Sequence, residues 1–188
     1  MLDQIRPAIV LTVLLSAVTG LAYPLAITGA AQAAFPAQAN GSRIERDGVL
    51  IGSDLIGQNF TQPGYFRPRP SATGPEPYNA AASTGSNIGP TGKPLVERVA
   101  ASVEAMGGGP VPADAVTTSG SGLDPHITPQ FAALQVARVA TARAVEPSVV
   151  EAVLADVTEG PVLGIFGEPR VNVLRLNLAL DQAAPIGN

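Results

Sequence analysis

The sequence predicts an α+β protein: a single N-terminal transmembrane helix followed by one extracytoplasmic mixed α/β domain. Three observations predict it. No Asp, Glu, Lys or Arg stands between Arg6 and Arg43, and about 20 apolar residues suffice for a helix to cross a bilayer. The rest of the chain is polar, holds most of its 20 Gly and 18 Pro, and contains no second such run. Within that remainder, segments of helical apolar periodicity alternate with a few short β-branched runs.

The expected organisation is a short cytoplasmic N-terminus over 1–7, a span over 8–31 and an extracytoplasmic domain over 32–188. The alternative for the span is a cleaved signal peptide. Ala31-Gln32-Ala33 and Ala37-Gln38-Ala39 both have the A-x-A form of a cleavage site. The apolar run, however, is longer than an h-region of 7–15 residues, and Arg6 is its only preceding basic side chain. The reading is a retained anchor. Arg6 and the amino terminus precede the span, and no basic residue follows until Arg43. The positive-inside rule then places the N-terminus in the cytoplasm and the domain outside. The absence of Cys agrees with an oxidising compartment and excludes disulfides and Cys-based metal sites.

At about 100° per residue, Thr12, Ser16, Thr19, Gly20 and Tyr23 share one side of the span, and Val10, Leu14, Val18, Leu21 and Leu25 lie opposite. Small and hydroxyl residues let helix backbones approach closely, so the first face is the candidate contact with a partner helix. The bland alternative is that these hydroxyls bond their own backbone. Pro24 removes one hydrogen bond and crowds a carbonyl, so a kink is expected there.

The residues after the span suit one domain. Segment 60–94 is dense in Pro, Gly, Ser and Asn, which favours turns. Tyr65, Phe66 and Tyr78 within it predict an ordered, packed loop, because disordered segments are poor in aromatics. A helix follows Pro94, with Leu95, Val96, Val99, Val103 and Met106 on one side and Gly107-Gly108-Gly109 as its stop. Thr128-Pro129 opens a second helix with a diffuse apolar face. Glu146-Pro147 opens a third, with Val149, Val150, Val153, Leu154 and Val157 on a face. Segment 171–180 fits helix by its Val171/Leu174/Leu178 spacing and strand by its even-numbered leucines. Strands are expected over 48–51, 116–118 and 162–166.

Fifteen acids against 11 bases give a formal net charge of −4, and Lys93 is the only lysine. That balance offers no basic patch for nucleic acid. His126 is the only histidine, so a zinc site lacks its usual ligands. Ser119 or Ser121 with His126 and Asp124 supplies the residue types of a nucleophilic triad. No nucleophile elbow surrounds them, and local turn bonding accounts for the same residues. Segment 85–94 approaches a phosphate-binding loop but has Asn87 where the pattern needs Gly and Pro94 where it needs Ser or Thr. The residues alone assign no catalytic group, no metal and no cofactor.

The chain resembles one family along nearly its whole length. The matching pieces are Tyr23-Pro24-Leu25, Gln38-Ala39-Asn40-Gly41-Ser42, Leu55-Ile56-Gly57-Gln58-Asn59-Phe60, Tyr65-Phe66 with Arg69-Pro70-Ser71-Ala72, and Tyr78-Asn79. Gly85-Ser86-Asn87, Ser121-Gly122-Leu123-Asp124, Ile127-Thr128-Pro129, Gln135 with Arg138-Val139-Ala140, and Gly167 with Val171-Asn172-Val173 continue the series. Leu176-Asn177-Leu178-Ala179-Leu180-Asp181 closes it. In this order and spacing they resemble the C subunit of the Kdp-type potassium-pumping P-type ATPase. The resemblance implies a non-catalytic accessory subunit of an ATP-driven high-affinity potassium import complex, serving assembly and described as a catalytic chaperone. It implies three partners: a channel-like potassium-binding subunit, a P-type catalytic subunit that hydrolyses ATP, and a small single-helix subunit. It also implies nucleotide contact at Gln135, ATP being otherwise bound elsewhere in the complex. The topology read from the span puts Gln135 outside the membrane, across from cytoplasmic ATP, which favours an accessory role at the outer potassium entrance. The alternative is a membrane-tethered extracytoplasmic hydrolase or binding protein acting independently.

Overall fold

The structure, a computed structural model, describes residues 2–186. The expected N-terminal segment 1–7 and the domain end at 188 extend past it at Met1, Gly187 and Asn188. The chain divides into two compact units, Met1–Ile51 and Gly52–Asn188.

The first unit is dominated by a helix over Ile5–Ala34, 30 residues, long and apolar enough to cross a membrane. It consists of α1 (Ile5–Ala17), a π turn (Val18–Ala22) and α2 (Tyr23–Ala34). The π turn stands directly before Pro24. That proline has no N–H, and its ring crowds the carbonyl four residues back, at Gly20. Tyr23 N–H instead reaches Val18 O, five residues back, which widens the turn around the ring. An i→i+5 turn adds one residue to the register, about 100° of rotation. Tyr23 is therefore rotated away from the stripe of Thr12 and Ser16. Thr19 Oγ1 donates to Leu15 O at 2.7 Å, so this hydroxyl bonds its own backbone.

A short turn, α3 (Pro36–Ala39), follows. Gln32 and Asn40 exchange side-chain amide bonds at 3.1 and 3.3 Å, and Asn40 Nδ2 also donates to Pro36 O at 2.7 Å. Then β1 (Arg43–Arg46) pairs with β2 (Val49–Ser53). Asp47 and Gly48 link them with φ of 54° and 76°. Two positive φ in a two-residue loop is the type I′ hairpin turn, for which Asp-Gly is a preferred pair. That dipeptide was the sequence signal for β1, which the expected strand over 48–51 left unpartnered.

The second unit packs helices on a small sheet. Its elements are α4 (Lys93–Ala105), α5 (Ala113–Val116), β3 (His126–Ile127), α6 (Pro129–Arg143), α7 (Pro147–Val157), β4 (Thr158–Glu159), β5 (Arg170–Asn172) and α8 (Val173–Ala183). The sheet order is β3-β5-β4, both pairings antiparallel, with His126 opposite Asn172 and Thr158 opposite Val171. Helices α6, α7 and α8 pack against β5, and α7 packs on both α6 and α8. The core joins Phe131, Val136 and Val139 of α6, Val150 and Leu154 of α7, and Leu176 and Leu180 of α8 to Val171 and to Phe66 from the long loop.

The ambiguous C-terminal stretch is both strand and helix. Asn172 ends β5, and its side chain caps α8 by accepting from Arg175 N–H at 3.1 Å. Two expected strands do not form. Segment 116–118 begins inside α5. The extended residues after it give their carbonyls to a guanidinium, with Arg69 Nε on Thr117 O and Nη2 on Thr118 O, both at 3.3 Å. Segment 162–166 folds on itself: Leu163 and Gly164 take φ of 56° and 72° and pair Val162 with Phe166.

Candidate functional site

The polar side chains of the second unit converge on the Pro- and Gly-rich loop, and α6 is the element that places most of them. Thr128 caps α6 by accepting from Phe131 N–H at 3.1 Å. Thr128 is itself fixed by buried Asp114, whose Oδ2 accepts from Thr128 N–H at 2.7 Å and whose Oδ1 accepts from Thr128 Oγ1–H at 3.0 Å. The buried stripe of α6 is Phe131, Ala132, Gln135, Val136, Val139, Ala140 and Arg143. Its spacing is that of an ordinary core-facing helix. Two of its members are polar, which is why the apolar face read as diffuse.

Those two members hold the loop. Gln135, 6% exposed, accepts from Arg67 N–H at 2.8 Å and donates to Arg67 O at 3.0 Å. From α8, buried Asn177 does the same to the preceding residue, accepting from Phe66 N–H at 2.8 Å and donating to Phe66 O at 3.0 Å. Consecutive residues of an extended chain direct their backbone groups to opposite sides. The two carboxamides therefore grip residues 66 and 67 from either side, each imitating a neighbouring strand. This leaves the Phe66 ring fully buried. Arg138 adds bonds from Nη1 to Pro63 O and Tyr65 O and from Nη2 to Gln135 Oε1. Arg143, its side chain fully buried, donates to Gly64 O, Ala184 O and Asp181 Oδ1 and lies 5.0 Å over the Tyr65 ring.

A second knot fixes the far half of the loop. Arg69 Nη1 meets Asp124 Oδ2 at 3.0 Å, Tyr78 Oη–H donates to Arg69 O at 2.7 Å, and Ser71 Oγ–H donates to Gly122 O at 2.6 Å. Burial pushes the Asp124 carboxyl up, but hydrogen bonds from His126 and Arg69 outweigh it and bring it down to about 2. Burial, with the Asp124 charge beside it, raises the Tyr78 phenol well above its usual range. On the β5–α8 corner, Asp54 binds Arg175 in a two-point pair, and that hydrogen bonding holds the Asp54 carboxyl below its usual value.

Between this loop, the 106–111 turn and α6 runs a groove of about 840 Å³. Phe60, Met106, Val111, Phe131 and Leu134 line its apolar side, and Arg67, Arg69, Gln135 and Arg138 its polar side. Burial first, and then the nearby Arg67 charge, lower the pKa of Arg138. Among the described residues neither Arg67 nor Arg138 lies within salt-bridge distance of a carboxylate, so the groove carries uncompensated positive charge.

The sequence-expected residues distribute as follows. Gln135 lines the groove with its oxygen already accepting from Arg67 N–H and Arg138. His126 starts β3; its N–H donates to Asp124 Oδ1 at 3.0 Å, and its Nδ1 lies 3.6 Å from the same oxygen. Ser119 and Ser121 serve the adjacent turn, accepting from Gly122 N–H and Leu123 N–H. Among the described residues no three His, Asp or Glu cluster as metal ligands. Thr12, Ser16, Thr19, Gly20 and Tyr23 all stand on the first unit's helix. The roles of Asn177, Arg143 and Asp114 went unread. For Asn177 and Arg143 the signal was a polar residue at a stripe position of a buried helix; Asp114, fourteen residues before the cap it fixes, left none.

With this geometry in view, comparison with known proteins is decisive. The family described as KdpC, K+-transporting ATPase, c chain, matches residues 5–182. This chain belongs to the KdpC family. Curated relatives named potassium-transporting ATPase KdpC subunit align with it end to end. The Gemmatimonas aurantiaca protein is 58% identical over 186 residues, covering 96% of this chain and 94% of the relative. Those of Dechloromonas aromatica and Sorangium cellulosum are 54% and 55% identical, covering 96% and 97% of this chain and 97% and 100% of the relatives.

Proposed function

We propose that this KdpC-family chain is the non-catalytic accessory subunit of an ATP-driven potassium import complex. It spans the bacterial inner membrane once, with its N-terminus in the cytoplasm and its clamped domain outside. It works by assembling and stabilising a channel-like potassium-binding subunit, a P-type catalytic subunit and a small single-helix subunit. The observation that carries the reading is the end-to-end KdpC match on a chain whose reactive side chains are spent on structure. Gln135, Asp124, Ser119 and Ser121 each hold a backbone group in place, and the His126 ring lies against Asp124. An assembly subunit needs a fixed surface, and two carboxamides, two arginines of α6 and the Arg69–Asp124 pair give the long loop one fixed course.

A second reading, nucleotide contact near Gln135, has the groove in its favour. Uncompensated guanidiniums at Arg67 and Arg138 suit phosphate oxygens. The Gln135 oxygen is already taken by two donors, so an anion here meets the arginines first. Purification of the tagged full chain from membranes in mild detergent tests the main reading. It predicts recovery of larger membrane subunits with potassium-stimulated ATPase activity. A chain that purifies alone with its own hydrolytic activity supports the independent hydrolase instead. Photo-crosslinking of a nucleotide to the chain, lost in Arg138→Ala, establishes the second reading.

A further inference from the structure

The turn between β4 and β5 presents its apolar residues to water. Val162, Leu163, Ile165 and Phe166 are 59%, 83%, 78% and 64% exposed. Soluble surfaces rarely group large apolar side chains in this way unless they meet a partner. The turn is rigid. Val162 and Phe166 exchange backbone bonds at 2.8 and 3.0 Å, and Gly164 N–H and Ile165 N–H bond Pro161 O and Val162 O. Its arms run directly into β4 and the central strand β5, so the apolar tip is held at the edge of the core. A rigid tip loses little entropy on docking.

Leu163 adds an independent argument. Its φ is 56°, a conformation that suits Gly or Asn and strains a bulky side chain. Leu therefore serves no local folding purpose here, and its side chain buries nothing of its own domain. An unfavourable residue kept at an exposed tip points to a contact outside the chain.

We infer that this tip, with Leu163 and Ile165 as its anchors, docks into an apolar pocket on another subunit of the ATPase. The inference rests on the reading of this chain as a subunit of that complex. Charge selects a protein pocket over the bilayer. The turn is flanked by the Glu159–Arg170 pair and by Glu168, with no Lys or Arg beyond that pair. Elements that seat in bilayers carry Lys and Arg toward anionic headgroups, and this rim has the opposite sign. The complementary pocket is apolar with basic groups at its border.

The chain has no Cys, so Ile165→Cys introduces a single thiol. The experiment uses the full chain in membranes with its companion subunits, a benzophenone maleimide on that thiol, and irradiation. The expected product is a crosslink to another ATPase subunit, and the free thiol should react with a water-soluble maleimide at least about tenfold more slowly in the complex than in the chain alone. Leu163→Asn with Ile165→Asn should lower recovery of the companions at least about tenfold, the scale of a lost pair of interface anchors. The melting temperature of the isolated full chain should be unchanged or higher, since Asn suits the φ at 163. Crosslinks to lipid alone, unchanged thiol reactivity, or full recovery of companions by the double variant would each overturn the docking proposal while leaving subunit membership standing. A wild-type chain that recovers no companion overturns both.

Discussion

Gln135 shows how a residue lining a groove can be committed to holding the fold. It lines the groove, yet its amide is a backbone partner for Arg67. Removing it leaves the part-buried N–H and C=O of Arg67 without this partner, at a cost of about 1 kcal/mol. Gln135→Ala should therefore lower the urea midpoint and the yield of assembled complex. On the proposed topology a bilayer core of about 30 Å separates Gln135 from cytoplasmic nucleotide, so the apparent ATP affinity of intact complex in detergent should change little. Asp124 offers a pH test. Its folded pKa, about 2, lies below its ordinary value of 3.8. A depressed acid contributes stability that is complete above about pH 4 and fades as pH falls toward 2. Discounted for the solvent that reaches this carboxyl, that contribution is on the order of 1 kcal/mol. In Asp124→Asn, the loss of stability between pH 4 and 2, followed by unfolding at each pH, should be smaller by that amount.

At the scale of elements, the helices were legible because their caps and stripes are local: Thr128-Pro129 and Glu146-Pro147 open α6 and α7 as read. The short strands were not, since what an extended segment bonds to is decided far away in sequence. Thr117 and Thr118 found Arg69 instead of a strand, and the turn at Leu163 and Gly164 bent 162–166 back on itself. The candidate site was half legible. Gln135 entered through the family resemblance alone, and the roles of Asn177 and the fully buried Arg143 required the packing of the loop against α6 and α8. One element carries a correctable strain: α6 ends at Ala144 with φ of 54°. Ala144→Gly should raise stability by about 0.5–1 kcal/mol, since Gly adopts that conformation freely. This is measurable as a higher denaturation midpoint. In the anchor, the π turn divides the small-residue face. Ser16→Leu with Gly20→Leu should still insert, because insertion follows hydrophobicity, but should recover fewer companion subunits. Unchanged recovery would exclude that face as the contact.

At the scale of the whole molecule, an apolar helix supplies attachment and a domain braced from within supplies a fixed surface. Charged and amide groups that elsewhere perform catalysis here hold a loop of Pro and Gly to a small core. On the proposed reading, this KdpC-family chain is needed by the pump but performs none of its chemistry. The most direct measurement is potassium-stimulated ATP hydrolysis by three purified preparations: the complete complex, the complex expressed without this chain, and this chain alone. Activity is expected in the first, its loss or collapse of the assembly in the second, and none in the third. Hydrolysis by the chain alone, or a complex without it that assembles and turns over at the full rate, would refute the accessory role.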